Sequence, residues 1–431
     1  RGAAFAAADA TAAARPDPTS DLGDAARRSA RAAAGLARVS LRVLQNPGAA
    51  SAPRLTRELF EELGATFVKL GQLVASSPTI FPEAWTSEFE KTLDGAPPVP
   101  FATVKKVVEK SLGKRLSAAY ATFDETPLAT ASVAQVHAAT LRGSGRRVVV
   151  KVLKPDVADT LGADLAFLNG AAALLEAVAP ETKRVSLRDV AAQLRDATLQ
   201  ELDLREEAAR LSSFSAFLDD AGLAGDCAVP TPVLELSSEQ VLTMERFDGS
   251  RLVDATAGPD AEAAVATVIR VWARSVVEHD FFHADVHGGN VLLLNDGRVG
   301  LIDFGIVGTL PAAVYGAVIR LAGAFNAQPR DYVGLATALR DMGIVDGGAA
   351  FEADAFAADL ANAFAAAEAN DAAALAADVI RVSEANNLVL PREFGLLTKQ
   401  AIYLNRYVST LAPDLDPFAQ DLVGGAPPVA P

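Results

Sequence analysis

The segment His283-Ala284-Asp285-Val286-His287-Gly288-Gly289-Asn290, followed by a short apolar hairpin and then Asp303-Phe304-Gly305, sets an Asp, an Asn and a second Asp in a fixed order. Moving a γ-phosphoryl group builds charge on phosphate oxygens, and Mg2+ offsets that charge through hard oxygen ligands. Asn290 and Asp303 are the candidate ligands. Asp285 is the candidate group to orient an acceptor hydroxyl or take its proton.

Between them, Val291 to Leu294 and Arg298 to Ile302 read as two apolar strands joined by the turn signal Asn295-Asp296-Gly297. Such a hairpin brings Asn290 and Asp303 together. His283, Asp285 and His287 alternate as strand-spaced metal ligands would, so a hydrolase metal site is the rival reading. That rival leaves Asp303-Phe304-Gly305 and an upstream Lys and Glu without a task.

The upstream Lys is Lys151, which interrupts the β-branched run Val148-Val149-Val150-Lys151-Val152. A cation in an apolar strand needs a partner. A strand Lys that reaches nucleotide phosphates while pairing with a helix Glu supplies one, and Glu201 and Glu207 are the candidates. Glu201 continues the helical stripe Leu187, Val190, Leu194 and Thr198, whereas Glu207 lies between Leu204 and Leu211. Periodicity leaves that choice open.

Where a Gly-rich phosphate loop would fall, the chain has Ala129-Thr130-Ala131-Ser132-Val133-Ala134-Gln135. Side chains keep backbone amides further from a phosphate than glycines would. Ala131, Ser132, Val133 and Ala134 are the nucleotide-facing candidates of that loop. Met244-Glu245-Arg246-Phe247 falls where a hinge would bind adenine, with Glu245 and Phe247 as contacts. No Ala-Pro-Glu and no long polar activation segment follow Gly305, so a platform for peptide substrates is not expected.

The elements that position these groups follow from hydrophobic period. Residues 53–77 read as an amphipathic helix with Leu55, Leu59, Leu63, Thr66, Leu70 and Leu73 on one face and Lys69 beside Gln72 on its flank. Pro78, Pro82 and Pro97-Pro98-Val99-Pro100 break that pattern. A second helix covers Phe101 to Leu112, and strands run from Ala119 to Leu153 through a turn at Gly143-Ser144-Gly145. Ser186 with Asp189 predicts the cap of one long helix reaching Leu218. Pro230 and Pro232 precede a strand from Gln240 to Met244, and the chain after Gly249 reads as mostly helical. Residues 351–380, Ala-rich with scattered Asp and Glu, read as a solvated helical pair.

A chain of 431 residues, half of them hydrophobic, exceeds one ordinary domain and predicts two lobes. A net charge of -15 argues against nucleic acid as a partner and makes an anionic membrane surface repulsive. The single cysteine, Cys227, excludes an internal disulfide and a multi-Cys zinc site, and reads as a small loop residue in a reducing compartment. No uncharged apolar run reaches about 18 residues, so no membrane span is expected, and peripheral membrane contact stays compatible. Residues 1–48, opening with Arg1, read as the remainder of an organelle-targeting segment or as an Ala-rich leader; Asp9, Asp17, Asp21 and Asp24 weigh against the first. Gly424 to Pro431 reads as a disordered tail.

Taken together, Lys69-Leu70-Gly71-Gln72 (KxGQ), the Ala-rich loop with Gln135-Val136-His137, Lys151, Glu201-Leu202-Asp203 (ExD), His283 to Asn290 and Asp303-Phe304-Gly305 resemble the UbiB family of atypical kinases, also called ADCK or ABC-one kinases. The match runs from about Leu55 to about Leu411. The resemblance implies an α+β, bilobal protein-kinase-like fold with an N-terminal helical KxGQ extension. Its division of the chain is a leader over 1–52, the extension over 53–117, an N-lobe over 118–248, a helical C-lobe over 249–411 and a tail over 412–431. In the family the extension lies over the site where a protein substrate would dock. That implies a regulatory contact of Lys69 and Gln72 with Glu201 and Asp203, which leaves Glu207 for Lys151.

The resemblance further implies ATP and Mg2+ as cofactors, with ATPase or unorthodox kinase activity. It implies support of ubiquinone, plastoquinone or tocopherol type prenylquinone metabolism, with a lipid or quinone precursor as partner. Members usually read His-Ala-Asp-Pro-His-Pro-Gly-Asn, and here Val286 and Gly288 stand at the proline positions. That wording looks more like plastid and cyanobacterial members, which makes a plastid the expected compartment and a prokaryotic cytoplasm the other. The membrane-spanning C-terminal helices of some members have no counterpart after Phe394. The competing function is a nucleotide-binding pseudokinase that scaffolds lipid-synthesis enzymes. Asn290 and Asp303 favour the enzyme, since a scaffold has no need of both metal ligands.

Overall fold

The protein is described by a computed structural model over residues 51–63, 67, 68, 71, 74, 83–89, 91, 98–131, 133–155, 157, 202–279, 281–345, 351–366 and 372–415. Lys69, Gln72, Ser132, Glu201, the expected cap at Ser186, residues 1–48 and the tail from Gly424 lie outside the described residues. In the expected first helix, α1 (Ala52–Leu63) is followed by helical residues at Phe67, Val68, Gly71 and Val74. α2 (Glu83–Phe89) packs on α1 through Phe60 against Phe89, and Arg57 pairs with Glu88 at 3.0 Å.

α3 (Phe101–Leu112) begins after Pro100 and ends at Gly113, whose φ of 63° is the left-handed C-cap conformation that glycine adopts without strain. Its Val104 and Val108, one turn apart, are buried. A one-turn α4 (Leu116–Ala119) leads into β1 (Tyr120–Phe123), β2 (Ala129–Thr130), β3 (Ala134–Leu141) and β4 (Arg147–Leu153). After α5 (Leu204–Asp220) and the short β5 (Cys227–Ala228), β6 (Val241–Glu245) completes an antiparallel sheet ordered β1-β3-β4-β6, with β2 on β3.

The alternation of β4 decides where its lysine goes. Val148, Val150 and Val152 share a buried cluster with Val104 and Val108 of α3. Strand pleating therefore sends Val149, Lys151 and Leu153 to the other face, toward α5, and Val149 and Leu153 pack in the core that holds Leu204, Ala208 and Leu211. Burying three valines contributes about 5 to 8 kcal/mol before chain entropy is counted, which holds the register that aims Lys151.

α5 differs from the expected uninterrupted helix. Asp203 has extended backbone angles (φ -117°, ψ 95°), and its carboxylate accepts the Arg205 amide at 3.0 Å as an N-cap. Asp203 precedes a first turn that carries Glu206, exposed, and Glu207, buried.

The rest of the chain builds the second half. β7 (Gly249–Arg251), α6 (Pro259–Glu278), β8 (Phe281–His283), β9 (Val291–Leu294), β10 (Val299–Leu301) and β11 (Val307–Thr309) surround the segment from Ala284 to Asn290. They form one sheet ordered β5-β10-β9-β7 and one pair, β8 with β11. Gly297 at φ 89° turns the β9-β10 hairpin. Cys227 is buried in β5 rather than lying in a loop, and burial pushes its thiol up to about 12.

Helices α7 (Ala312–Asn326), α8 (Tyr332–Met342), α9 (Ala353–Ala366) and α10 (Ala372–Ala385) form a separate core, with the short strands β12 (Ile344–Val345) and β13 (Leu388–Val389) paired beside them. The pair α9 and α10 is not solvated all round, since Phe356, Leu360, Val379 and Ile380 are buried in that core. Alanine's small side chain lets these helices pack closely while their Asp and Glu stay outside. The last helix, α11 (Arg392–Leu411), crosses back to α6 and shares its core through Leu404, Tyr407, Val408 and Leu411. The architecture is α+β and two-lobed, with Lys151 on the sheet half and Asp285 to Asp303 on the helical half.

Candidate active site

Lys151 Nζ joins the two halves. It donates to both oxygens of Glu207, at 3.0 and 2.9 Å, and to Asp303 Oδ1 at 2.9 Å. The side chains are 13% exposed for Lys151 and 4% for Glu207, against 49% for Asp303, so the pair is buried and the second carboxylate opens to solvent. Burial disfavours the charge on Lys151, yet Asp303 and Glu207 together outweigh it and raise the ammonium above its usual range. Burial likewise opposes the Asp303 anion, and Lys151 with the Gly305 amide overcomes it, holding the carboxyl at about 2. Glu207 is shifted upward, because its desolvation is only partly offset by Lys151.

Asp303 lies two residues past the end of β10, after Ile302, and takes a left-handed backbone, φ 63°, which is unusual for a residue with a Cβ. Two contacts hold it there. Phe304 is fully buried between Phe214 of α5 and His283, at ring separations of 4.9 and 4.7 Å. Arg210, one turn after Glu207 on α5, donates to the carbonyls of Phe304 and Gly305 at 3.2 and 2.9 Å. The helix that carries the lysine's partner therefore also holds the Asp303 backbone.

The hairpin register pairs Leu301 with Val291, and the Ile302 amide donates to the Asn290 carbonyl at 3.0 Å, so the two candidate metal ligands follow and precede adjacent strand ends. Asn290 Nδ2 donates to the Asp285 carbonyl at 3.1 Å. A carbonyl only accepts, so the amide nitrogen faces it and Oδ1 is the atom left to ligate. An ionised, half-exposed Asp303 and an Asn with a free acceptor oxygen suit Mg2+, which binds through few protein oxygens plus phosphates and water. Among the described residues no group of three or more His, Cys, Asp or Glu could hold a metal on its own.

The alternating metal site fails on geometry. His283 is buried, its Nε2 donates to the Ile302 carbonyl at 3.1 Å and its Nδ1 accepts the Asp285 amide at 3.1 Å, so neither nitrogen is available. Burial pushes its pKa down, which keeps the imidazole neutral. The strand β8 ends at His283, and the loop beyond it does not alternate.

Asp285 is partly exposed. Its Oδ1 accepts from Lys399 Nζ at 3.0 Å, and His287 Nε2 lies 3.6 Å from its Oδ2. In the Ala-rich loop, the Ala131 amide donates to the Ala134 carbonyl at 2.8 Å, and Val133 and Ala134 are buried. Glu245 ends β6 opposite Val148 and accepts weakly from the Thr231 amide, while the Phe247 ring lies against Gly300, where a Cβ would approach it to 2.9 Å. Asp203 is engaged by Arg205 through Nε at 2.9 Å and Nη2 at 2.6 Å. Four residues that hold the site carry no local sequence signal: Arg210, Lys399, Gln400 and Tyr407. Arg210 was reachable only through its spacing from Glu207, and the three on α11 through nothing short of tertiary structure.

The ABC1 atypical kinase-like domain matches residues 91–333 of the chain. Over 397 residues the chain is 38% identical to an uncharacterized aarF domain-containing protein kinase of Arabidopsis thaliana named as chloroplastic, covering 84% of this chain and 73% of that protein. It is 34% identical over 365 residues to an uncharacterized protein of Mycobacterium tuberculosis, covering 83% and 74%. A probable protein kinase UbiB of Xanthomonas campestris is 37% identical over 268 residues, covering 59% of this chain and 48% of that one. A solved Mycobacterium tuberculosis protein in complex with erythromycin is 27% identical, covers 70% of this chain and 74% of that chain, and superposes with a TM-score of 0.48. The chain belongs to the ABC1 atypical kinase-like family, whose members include a chloroplastic aarF domain kinase and UbiB proteins. No described helix is long and apolar enough to cross a membrane.

Proposed function

We propose that the chain is a Mg2+ and ATP dependent atypical kinase-like enzyme, an ATPase or small-molecule kinase that supports prenylquinone metabolism. The observation that carries this reading is the single ammonium of Lys151 joined to Glu207 and Asp303. A buried ion pair is poor support for a fold, so its presence favours a chemical task.

In this reading Lys151, held by Glu207, steadies the nucleotide's α and β phosphates. Asn290 and Asp303 hold Mg2+, which screens phosphate charge when bound. Asp285 orients the acceptor hydroxyl or water and takes its proton. Backbone at Ala131, Ser132, Val133 and Ala134 approaches the phosphates, and Glu245 and Phe247 border the adenine. Glu201, Asp203, Lys69 and Gln72 regulate access from the 53–117 extension. The name of the Arabidopsis relative supports a plastid. The motif resemblance to the UbiB family supports a quinone-lipid acceptor or effector, with peripheral contact to a lipid surface.

The second reading is a nucleotide-binding pseudokinase scaffold. What favours it is the Ala-rich loop, where the Ala131 amide is spent on Ala134 rather than facing a phosphate. Phosphate release from Mg-ATP, with and without a prenylated phenol in detergent micelles, separates the two. Release that the phenol stimulates and that Asp285→Asn lowers steeply to a measurable residue supports the enzyme. Nucleotide binding without release, in the wild type as in the variant, supports the scaffold and ends the enzyme reading.

A further inference from the structure

Helix α11 lies beyond the matched domain, yet it grips the catalytic loop on both sides of Asp285. Gln400, fully buried, accepts the Val286 amide at 2.9 Å and donates to the Ala284 carbonyl at 2.7 Å. Tyr407 donates to the Val286 carbonyl at 2.6 Å. The backbone at positions 284 and 286 is thereby fixed by side chains of one helix.

The Val286 bond depends on a departure noted in the sequence. Proline has no N–H, so a proline at position 286 could not donate to Gln400. The other departure is tied down as well: the Gly288 carbonyl accepts the Val253 amide at 3.4 Å, and a Cβ on Gly288 would come within 2.8 Å of Val253 Cβ. This loop is shaped by its neighbours in α11 and around Val253 instead of by prolines.

Backbone contacts leave one freedom, the rotation of the Asp285 carboxylate. Lys399, adjacent to Gln400 on α11, removes it by donating to Oδ1 at 3.0 Å, with side-chain exposures of 16% for Lys399 and 22% for Asp285. Its stem runs past Tyr403, with Nζ 5.6 Å from the ring centre. The other oxygen, Oδ2, has His287 Nε2 at 3.6 Å, which is too long for a hydrogen bond.

We propose that Lys399 is a positioning residue for phosphoryl transfer, acting through Asp285, and that α11 belongs to the catalytic apparatus. This rests on the reading of Asp285 as the acceptor-side base. Lys399 holds Oδ1 and turns Oδ2 toward the acceptor. As the acceptor oxygen bonds to the γ phosphorus, its proton passes to Oδ2, and the bond from that phosphorus to the β–γ bridging oxygen breaks with the electron pair leaving on ADP. A carboxylate free to rotate presents Oδ2 only part of the time, so losing the lysine lowers turnover without touching the nucleotide's own contacts.

The test is steady-state phosphate release from Mg-ATP by the full chain, comparing wild type, Lys399→Met, Lys399→Arg and Asp285→Asn with Lys399→Met added to it. Lys399→Met is expected to lower kcat by about ten- to a hundredfold, the scale of a misplaced catalytic group, with KM for ATP within about twofold. Lys399→Arg keeps the charge and recovers much of the loss. Adding Lys399→Met to Asp285→Asn changes nothing further, because the group it acts through is gone. Wild-type kcat in Lys399→Met overturns the inference while the proposed function stands. So does a loss shared by kcat and KM with no recovery in Lys399→Arg, which marks a structural role. A wild type that turns over no Mg-ATP removes the proposed function and this inference with it.

Discussion

Lys151 on β4 and Glu207 on α5 lie 56 residues apart in the chain and meet through two hydrogen bonds of 3.0 and 2.9 Å. Their charges compensate each other in a setting where neither would be stable alone. Lys151→Met strands the Glu207 carboxylate, and we expect a loss of about 3 to 5 kcal/mol in unfolding free energy by urea titration. The double variant Lys151→Met with Glu207→Leu should recover most of that loss, since it removes the uncompensated charge. Equal losses in single and double variants would mean the pair does not interact as described.

Position 288 gives a steric prediction. Gly288→Ala places a Cβ 2.8 Å from Val253 Cβ and 3.2 Å from the Val253 amide nitrogen, so the loop or the segment at Val253 must shift. The expected cost is about 1 to 3 kcal/mol in chemical unfolding. Because Asn290 lies two residues on, weaker stabilisation by Mg-nucleotide should accompany it. Unchanged stability would show that the loop does not pack this closely.

His137 sets an acid limit. It is buried, with Nδ1 2.8 Å from the Asp124 carbonyl and Nε2 2.8 Å from Gln135 Nε2, and Gln135 in turn accepts the Val99 amide at 2.9 Å. The carbonyl requires a proton on Nδ1, so Nε2 accepts from Gln135 and the ring is neutral. Burial lowers its pKa in the folded state. The contribution to stability is therefore complete above an unfolded pKa of about 6.5 and is lost as pH falls through the lower folded value, at no more than about 1.4 kcal/mol per pH unit. His137→Gln should flatten that part of a pH-dependent unfolding curve. An unchanged slope would assign the acid loss to other groups.

Which parts were legible in the sequence follows from how local each signal is. The β9-β10 hairpin was readable because Asn295-Asp296-Gly297 turns between apolar runs, and Gly297 takes the positive φ such a turn needs. Lys151 stood out because a charge in a valine run is anomalous, and its orientation follows from strand alternation alone. The choice of Glu207 over Glu201 was not available from periodicity, since it depends on which helix face meets β4 and on a helix start at Asp203. Alanine misled the reading of α9 and α10, because a residue this small suits both a solvated helix and a tightly packed one. Lys399, Gln400 and Tyr407 were invisible for a different reason: a Lys and a Gln on an amphipathic helix look like solvated positions until the fold lays that helix on Asp285.

The account's central claim is that Asp303, held ionised beside Lys151, helps bind Mg-nucleotide. Thermal unfolding of the purified chain with ATP or ADP, with and without Mg2+, beside Asp303→Asn, tests it most directly. Nucleotide at about 100 times its dissociation constant should stabilise the wild type by roughly 2.7 kcal/mol. The account predicts a Mg2+-dependent rise in melting temperature that Asp303→Asn loses. No rise with any nucleotide, or one of equal size in the variant, would contradict it.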